Sequence, residues 1–142
     1  MTRREIKIFS IYEKVAEACY SLRDFCFKEH IEKKICSELE LCLTEALNNV
    51  IKHAYKEDPN KVIDITFTFD RSELTMLIED TGSPRLTVKE PELEYDPKDI
   101  NSLPEGGMGL FIIKNLTDSS EYFTKEGKNI FLMKKIIQPV WN

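Results

Sequence analysis

Length, composition and charge exclude several classes of protein. The chain has 142 residues, 42% of them hydrophobic and 32% charged, and its formal net charge is −5. This size predicts a single domain over residues 1–142 with its own core, and the acidic balance argues against direct nucleic-acid binding. No stretch has the roughly 20 apolar residues of a membrane span, and the N-terminus lacks the apolar core of a signal peptide, so we expect a cytoplasmic protein without a membrane partner.

The cysteine and histidine residues give no indication of a disulfide or zinc framework. The four cysteines lack C-x-x-C spacing and fall in segments with helical periodicity, where free thiols pack as small apolar groups: Cys19, Cys26, Cys36 and Cys42. With only two histidines, a zinc site would need mixed ligands from scattered positions, so we discount it. We therefore expect reduced thiols in or beside the core.

Hydrophobic periodicity divides the chain into alternating helical and extended segments. In chain order the predicted elements are a strand at 4–9, helices at about 11–28 and 32–55, strands at 62–70 and 74–80 joined by a short turn, a helix at 108–118, and a closing hairpin over 119–137 that turns near Gly127. Residues 82–106 hold four of the six prolines and no sustained apolar period, which predicts a long loop, either a functional lid or a disordered segment. These elements predict an α+β fold, a two-layer sandwich with a mostly antiparallel sheet covered on one face by helices.

A polar stripe runs along the second predicted helix. At 100° per residue, five polar side chains share one side of this helix: Glu45, Asn48, Asn49, Lys52 and His53. The opposite arc holds the residues expected to pack on the sheet: Leu39, Leu43, Ala46, Leu47, Val50, Ile51 and Ala54. Asparagine competes with the helix backbone, so solvent exposure alone gives little reason for two of them in mid-helix. Either the stripe is a solvated face, or Glu45 and Asn49, one turn apart, present a carboxylate and an amide oxygen to a common ligand.

Asp80 falls on the core-facing side of its predicted strand, because it continues the alternation of Met76 and Ile78. A buried charge without a partner is expensive, so this carboxylate requires one. The partner is either a structural group, such as a backbone amide or the Thr81 hydroxyl, or a ligand. Gly82 follows two residues later and removes side-chain bulk where a planar ligand could lie.

Glycines concentrate at the borders of the long loop. Four of the five lie there: Gly82, Gly106, Gly107 and Gly109. The sequence E-G-G-M-G-L leads into the third predicted helix, whose free N–H groups and positive dipole end favour an anion such as phosphate. An ordinary flexible junction between loop and helix is the alternative, since the motif is neither a Walker A sequence nor G-x-G-x-x-G.

In chain order, the motifs E-A-L-N-N, E-D-T-G-S-P and E-G-G-M-G-L-F-I-I are together far more specific than any one of them. They resemble the motifs of the anti-sigma-factor serine/threonine-protein kinases, a small single-domain branch of the GHKL (Bergerat-fold) ATPases, which also include gyrase and sensor histidine kinases. The resemblance spans nearly the whole chain. It implies the histidine-kinase-like ATPase fold, with ATP or ADP and Mg²⁺ as ligands.

The resemblance also implies roles for individual residues. Glu45 matches the family's general base, and Asn49 matches the ligand of a magnesium ion that bridges the ATP phosphates. Asp80 matches the residue that bonds the adenine amino group, with Gly82 beside the ring. The nucleotide-binding residues at the third helix would be Gly107, Met108, Gly109 and Leu110, with both glycines meeting the phosphates, and residues 83–106 would form the ATP lid.

Two positions depart from the family pattern. Asn129 stands where relatives usually have a threonine near the adenine side of the site, and Glu105 stands where some relatives carry a basic residue. Neither change removes the predicted base or metal ligand. The resemblance therefore still implies a kinase.

The implied function is ATP-dependent phosphorylation of an anti-sigma-factor antagonist, a STAS-domain protein, combined with sequestration of a sigma factor by partner switching. A homodimer is expected, since relatives usually form one. The alternative is a catalytically weak interaction module, in which bound nucleotide only switches the affinity for a different partner.

Overall fold

The computed structural model describes residues 1–84 and 108–138. The described elements are, in chain order, β1 (Thr2–Phe9), α1 (Tyr12–Lys28), α2 (Lys33–Asn49), a π-helical segment (Val50–Ala54), β2 (Val62–Asp70), β3 (Glu73–Asp80), α3 (Met108–Leu116), β4 (Ser119–Lys125) and β5 (Lys128–Ile136). Most predicted boundaries agree with these within two residues. The exception is the second helix.

The five strands form one sheet in the order β1-β2-β3-β5-β4, and every neighbouring pair is antiparallel. The predicted hairpin turn between β4 and β5 is present at Glu126 and Gly127, whose φ angles are 53° and 78°. Positive φ at both central residues is the requirement of a type I′ turn, whose twist matches that of the flanking strands. The predicted antiparallel sheet is thus confirmed.

Alternating side chains of the central strands bury one face of the sheet under the helices. The largest fully buried residues of β2 and β3 are Ile63, Ile65, Phe67, Leu74, Met76 and Ile78. They meet a helix layer whose fully buried residues include Leu22, Phe25, Leu39, Leu43 and Leu47. Because α1 packs on β1 and β2 while α2 packs on β3, the architecture is the predicted two-layer α+β sandwich.

The second helix does not continue regularly to residue 55. Its α-helical part ends at Asn49, and the next turn is π-helical, with the Tyr55 N–H donating to the Val50 carbonyl at 2.9 Å. The wider turn changes the angular spacing that a regular helix would give. Lys52 and His53 are exposed, whereas Glu45, Asn48 and Asn49 are half-buried, so the five residues of the predicted polar stripe do not share one environment.

The cysteines behave as predicted, since all four are buried free thiols. Burial is the main cause that raises the pKa of the Cys42 thiol to about 11. Such a thiol stays protonated and acts as packing. Within residues 1–84 and 108–138, no helix combines the length and the apolar composition that a bilayer crossing requires.

Candidate functional site

A cavity lies between the second helix, the start of α3 and the β3-β5-β4 side of the sheet. Its described lining residues are Ala46, Asn49, Val50, Ala54, Asp80, Ser83, Leu110, Tyr122 and Phe131. Three predicted site residues, Asn49, Asp80 and Leu110, are therefore brought together from three separate elements. The remaining wall is mostly apolar, as in sites that bind small molecules through a few placed polar groups.

Asp80 ends β3 at this cavity and is 6% exposed. Its Oδ1 accepts hydrogen bonds from the Gly82 N–H at 2.9 Å and from Asn129 Nδ2 at 2.7 Å. Burial raises the pKa of the Asp80 carboxyl above its ordinary value, while these two bonds lower it. The structural partner considered in the sequence analysis is thus a backbone amide. Since both bonds use Oδ1, Oδ2 receives none from the described residues and keeps its acceptor capacity.

Asn129 is a site residue whose role the sequence left open. It is 4% exposed and lies directly opposite Asp80 in the register of β3 and β5. Besides the bond to Asp80, Nδ2 donates to the Gly82 carbonyl at 3.0 Å. One amide group therefore bonds both to the end of β3 and to Gly82, two residues beyond it.

Gly82 is required by close packing against the π segment. A Cβ at this position would lie 2.4 Å from the Ala54 carbonyl oxygen and 2.5 Å from its carbonyl carbon. The Ser83 N–H donates to the same oxygen at 2.9 Å. The space freed by the missing side chain, where a planar ligand could lie according to the sequence, is thus occupied by the backbone of Ala54.

Glu45 and Asn49 lie beside the N-terminal turn of α3. A Cβ on Gly109 would be 2.8 Å from Glu45 Oε2 and 3.5 Å from Asn49 Nδ2. Glycine is what permits this approach, so the structure places the three predicted residues next to one another. Glu45 is half-buried and, unlike Asn49, is not among the described residues that line the cavity.

The apolar wall includes residues that the sequence analysis assigned to sheet packing. Ala46, Val50 and Ala54 line the cavity, while Leu43 and Leu47 of the same predicted arc are fully buried in the core. The sequence signal for this wall was the four-residue spacing of Ala46, Val50 and Ala54, two of which are alanines. It indicates a shallow strip where a flat group could fit against the helix.

Tyr55 braces the site from the end of the π segment. This buried side chain donates to the Val62 carbonyl at 2.7 Å and accepts the Thr81 N–H at 2.9 Å. Thr81 lies between Asp80 and Gly82. The phenol therefore holds the strand end that carries the predicted base contact.

Several predictions fall outside the described residues. Gly107 and the lid prediction beyond residue 84 lie there, as does Glu105. Met108 begins α3, but its side chain is outside the description as well. These assignments stay predictions.

The arrangement fits a nucleotide with a divalent metal ion. Asp80 offers a carboxylate acceptor to an amine, the strip of Ala46, Val50 and Ala54 offers an apolar surface, and Asn49 carries an amide oxygen. Mg²⁺ prefers such hard oxygen ligands and takes most of them from water and phosphate, so one protein amide can suffice. The three features converge on one cavity.

Comparisons with known proteins show the family of this chain. The sequence profile of the histidine kinase-like ATPase domain matches residues 10–135. The serine-protein kinase RsbW of Bacillus mycoides (strain KBAB4) is 35% identical over 104 residues, which cover 71% of this chain and 64% of the relative. The chain thus spans slightly less than two thirds of that relative's length.

Two solved structures share the fold. The RsbU and RsbW domains of Rv1364c from Mycobacterium tuberculosis match with a TM-score of 0.68 and 11% identity, over 98% of this chain and 34% of that one. The SiaB-SiaC complex from Pseudomonas aeruginosa matches with a TM-score of 0.62 and 10% identity, over 94% of this chain and 89% of that one. At these identities the likeness concerns the fold alone.

Proposed function

Because this chain belongs to the family of histidine kinase-like ATPase domains, we propose that it binds ATP with Mg²⁺ in the cavity and transfers the γ-phosphoryl group to a serine or threonine of a partner protein. The observation that carries the proposal is the convergence of Asn49, Asp80 and Leu110 on one cavity, with Glu45 beside Asn49 under Gly109. These residues supply a base contact, a metal ligand and a proton acceptor.

Nucleotide binding would use both ends of the cavity. Asp80 Oδ2 would accept the amino group of adenine, while the ring lies against the apolar strip of Ala46, Val50 and Ala54. The Asn49 amide oxygen would ligate Mg²⁺, which when bound neutralises phosphate charge. A buried polar group such as the Asp80 carboxylate would select strongly among ligands, because a ligand without the matching hydrogen-bonding group leaves it unpaired.

Glu45 is the proposed general base. Its carboxylate would accept the proton of the attacking hydroxyl while the new bond forms between that oxygen and the γ-phosphorus. The bond from the γ-phosphorus to the bridging oxygen breaks at the same time, and ADP leaves. Since Gly109 keeps the space above Glu45 free of a side chain, the α3 backbone can approach without displacing the base.

The partner proposals rest on the resemblance to anti-sigma-factor kinases and on the relative named serine-protein kinase RsbW. We infer that the acceptor is a STAS-domain antagonist and that the same chain, as a homodimer, sequesters a sigma factor. Phosphorylation of the antagonist would then leave the sigma factor bound to this protein.

Transfer of label from γ-³²P-ATP tests the proposal directly. The purified full chain is mixed with Mg²⁺, labelled ATP and STAS-domain proteins encoded in the same genome. We expect label on a serine or threonine of one such protein, and we expect Glu45→Gln to abolish transfer while ATP binding stays within about threefold. Binding without transfer to any of these proteins would contradict the kinase assignment and support a nucleotide-dependent interaction module.

A further inference from the structure

We propose that Asn129 is a positioning residue that locks the orientation of the Asp80 carboxylate and thereby sets how strictly the cavity selects adenine over guanine nucleotides. The inference rests on the proposed nucleotide function and assigns a task to a residue outside the predicted site. It concerns a specific amide on β5, not the carboxylate itself.

The hydrogen bonds fix which way the Asn129 amide faces. Both atoms near Nδ2, Asp80 Oδ1 at 2.7 Å and the Gly82 carbonyl oxygen at 3.0 Å, are acceptors. The NH₂ group must therefore point toward them, since an amide oxygen there would meet two other oxygens. Both N–H donors of Asn129 are thus used on the strand end that carries Asp80.

This bracing assigns separate tasks to the two carboxylate oxygens. Oδ1 accepts from Asn129 and from the Gly82 N–H, so the carboxylate cannot rotate without losing two bonds. Oδ2 is left as an acceptor for the ligand. An adenine amino group satisfies such an acceptor, whereas the guanine carbonyl at the corresponding ring position would meet it as a second acceptor.

A carboxylate without this bracing can rotate or take up a proton, and a carboxylic acid can donate to a carbonyl. Loss of Asn129 therefore weakens the bond to adenine and relaxes the rejection of guanine. Threonine at this position has a single hydroxyl donor, which can serve Asp80 or the Gly82 carbonyl but not both. A threonine variant should consequently lie between wild type and alanine.

Several described elements surround Asp80 at the cavity. Asn129 of β5 bonds to it directly, while Phe131 of β5, Tyr122 of β4, Leu110 of α3 and the apolar strip with Asn49 line the same cavity. Among the described lining residues, the titratable side chains are Asp80 and Tyr122. Because the Asn129 bond lowers the pKa of Asp80 against the effect of burial, removing Asn129 raises that pKa.

The first experiment measures ATP and GTP affinity from pH 5 to 8 for wild type, Asn129→Thr and Asn129→Ala. The control is Asn115→Ala, which removes an exposed amide of α3. We expect Asn129→Ala to weaken ATP binding about tenfold at pH 7 and to reduce the ATP/GTP ratio. The loss of affinity on acidification should begin at a higher pH than in wild type, because nucleotide binding requires the ionised carboxylate.

The second experiment needs no nucleotide. Carbon-13 NMR titration of the Asp80 carboxyl in the nucleotide-free full chain should give a higher pKa in Asn129→Ala than in wild type. The pKa in Asn129→Thr should lie between these two values. If the alanine variant does not fold, the threonine variant provides the comparison with wild type. An unchanged Asp80 pKa together with an unchanged ATP/GTP ratio would refute the role of Asn129. If wild type binds no nucleotide, the proposed function fails, and the titration still decides whether Asn129 positions Asp80.

Discussion

Gly82 packs so closely on Ala54 that a Cβ would lie 2.4 Å from the Ala54 carbonyl oxygen. This contact joins the end of β3, which carries Asp80, to the π segment that follows Asn49. The two polar ends of the cavity are therefore linked through this contact, and its disturbance should affect both folding and binding.

Gly82→Ala should destabilise the protein by roughly 1–3 kcal/mol, because the new methyl group meets backbone atoms that cannot rotate away. ATP affinity should fall as well, since the Ser83 bond to Ala54 shifts. Urea denaturation and calorimetric titration measure the two effects. A variant with wild-type stability would show that the junction is looser than the contact indicates.

Gly109→Ala is the matched substitution at the other glycine and should behave differently. Its Cβ meets the flexible end of Glu45 rather than backbone, and alanine is the better helix former by about 0.5–1 kcal/mol. We expect unchanged or slightly higher stability but at least tenfold slower phosphoryl transfer, because Glu45 is displaced. Full transfer activity in a folded variant would remove Glu45 from its proposed place under α3.

Asp80→Asn should separate stability from binding. Burial raises the pKa of Asp80 in the folded state above its value in the unfolded chain. At a pH between these two values the folded chain binds more protons than the unfolded chain. The free energy of unfolding therefore falls as the pH rises through this window. At pH 7 the ionised carboxylate is thus a net cost, which asparagine removes while still accepting from Asn129 and Gly82. Urea denaturation at pH 7 should show equal or greater stability, and this gain should vanish below the unfolded pKa of about 3.9.

The same Asp80→Asn protein should bind ATP at least tenfold more weakly, because the amide cannot match the carboxylate as an acceptor. Calorimetry at pH 7 measures this loss. Clear destabilisation at pH 7 would mean that the carboxylate contributes to folding more than its burial costs.

Tyr55→Phe should cost about 1–3 kcal/mol, since it leaves the Val62 carbonyl and the Thr81 N–H without their phenol partner. Hydrogen exchange at the Thr81 amide should accelerate. The control is Tyr12→Phe, which removes an exposed hydroxyl bonded to Glu57 and should change stability by less than about 0.5 kcal/mol. Equal effects of the two substitutions would contradict the bracing role of Tyr55.

Local patterns predicted most of the fold and part of the site. Alternation in β3 placed Asp80 on the core face, and the family resemblance, confirmed by the match over residues 10–135, identified Asn49 and Leu110, which line the cavity. The π segment was missed because hydrophobic periodicity does not report the contacts at its end, where Tyr55 bonds to Val62 and to Thr81, which is 26 residues away in sequence.

The side-chain partner of Asp80 was missed because it depends on the pairing of two strands. Asn129 lies opposite Asp80 only through the pairing of β3 with β5, and the two residues are 49 positions apart in sequence. Periodicity within each strand predicts which face a side chain occupies, but it does not predict which side chain lies opposite.

The proposed function requires that one cavity bind the base through Asp80 and a metal-bound phosphate through Asn49. Calorimetric titration of ATP with Mg²⁺ and with EDTA, for wild type, Asn49→Ala and Asp80→Asn, tests it most directly. We predict that wild type binds ATP more tightly with Mg²⁺ than with EDTA. Asn49→Ala should lose only this increase in affinity, whereas Asp80→Asn should lose ATP binding both with Mg²⁺ and with EDTA. Folded wild-type protein that does not bind ATP, or whose ATP affinity is unaffected by Mg²⁺ and by both substitutions, would rule out nucleotide binding at these residues.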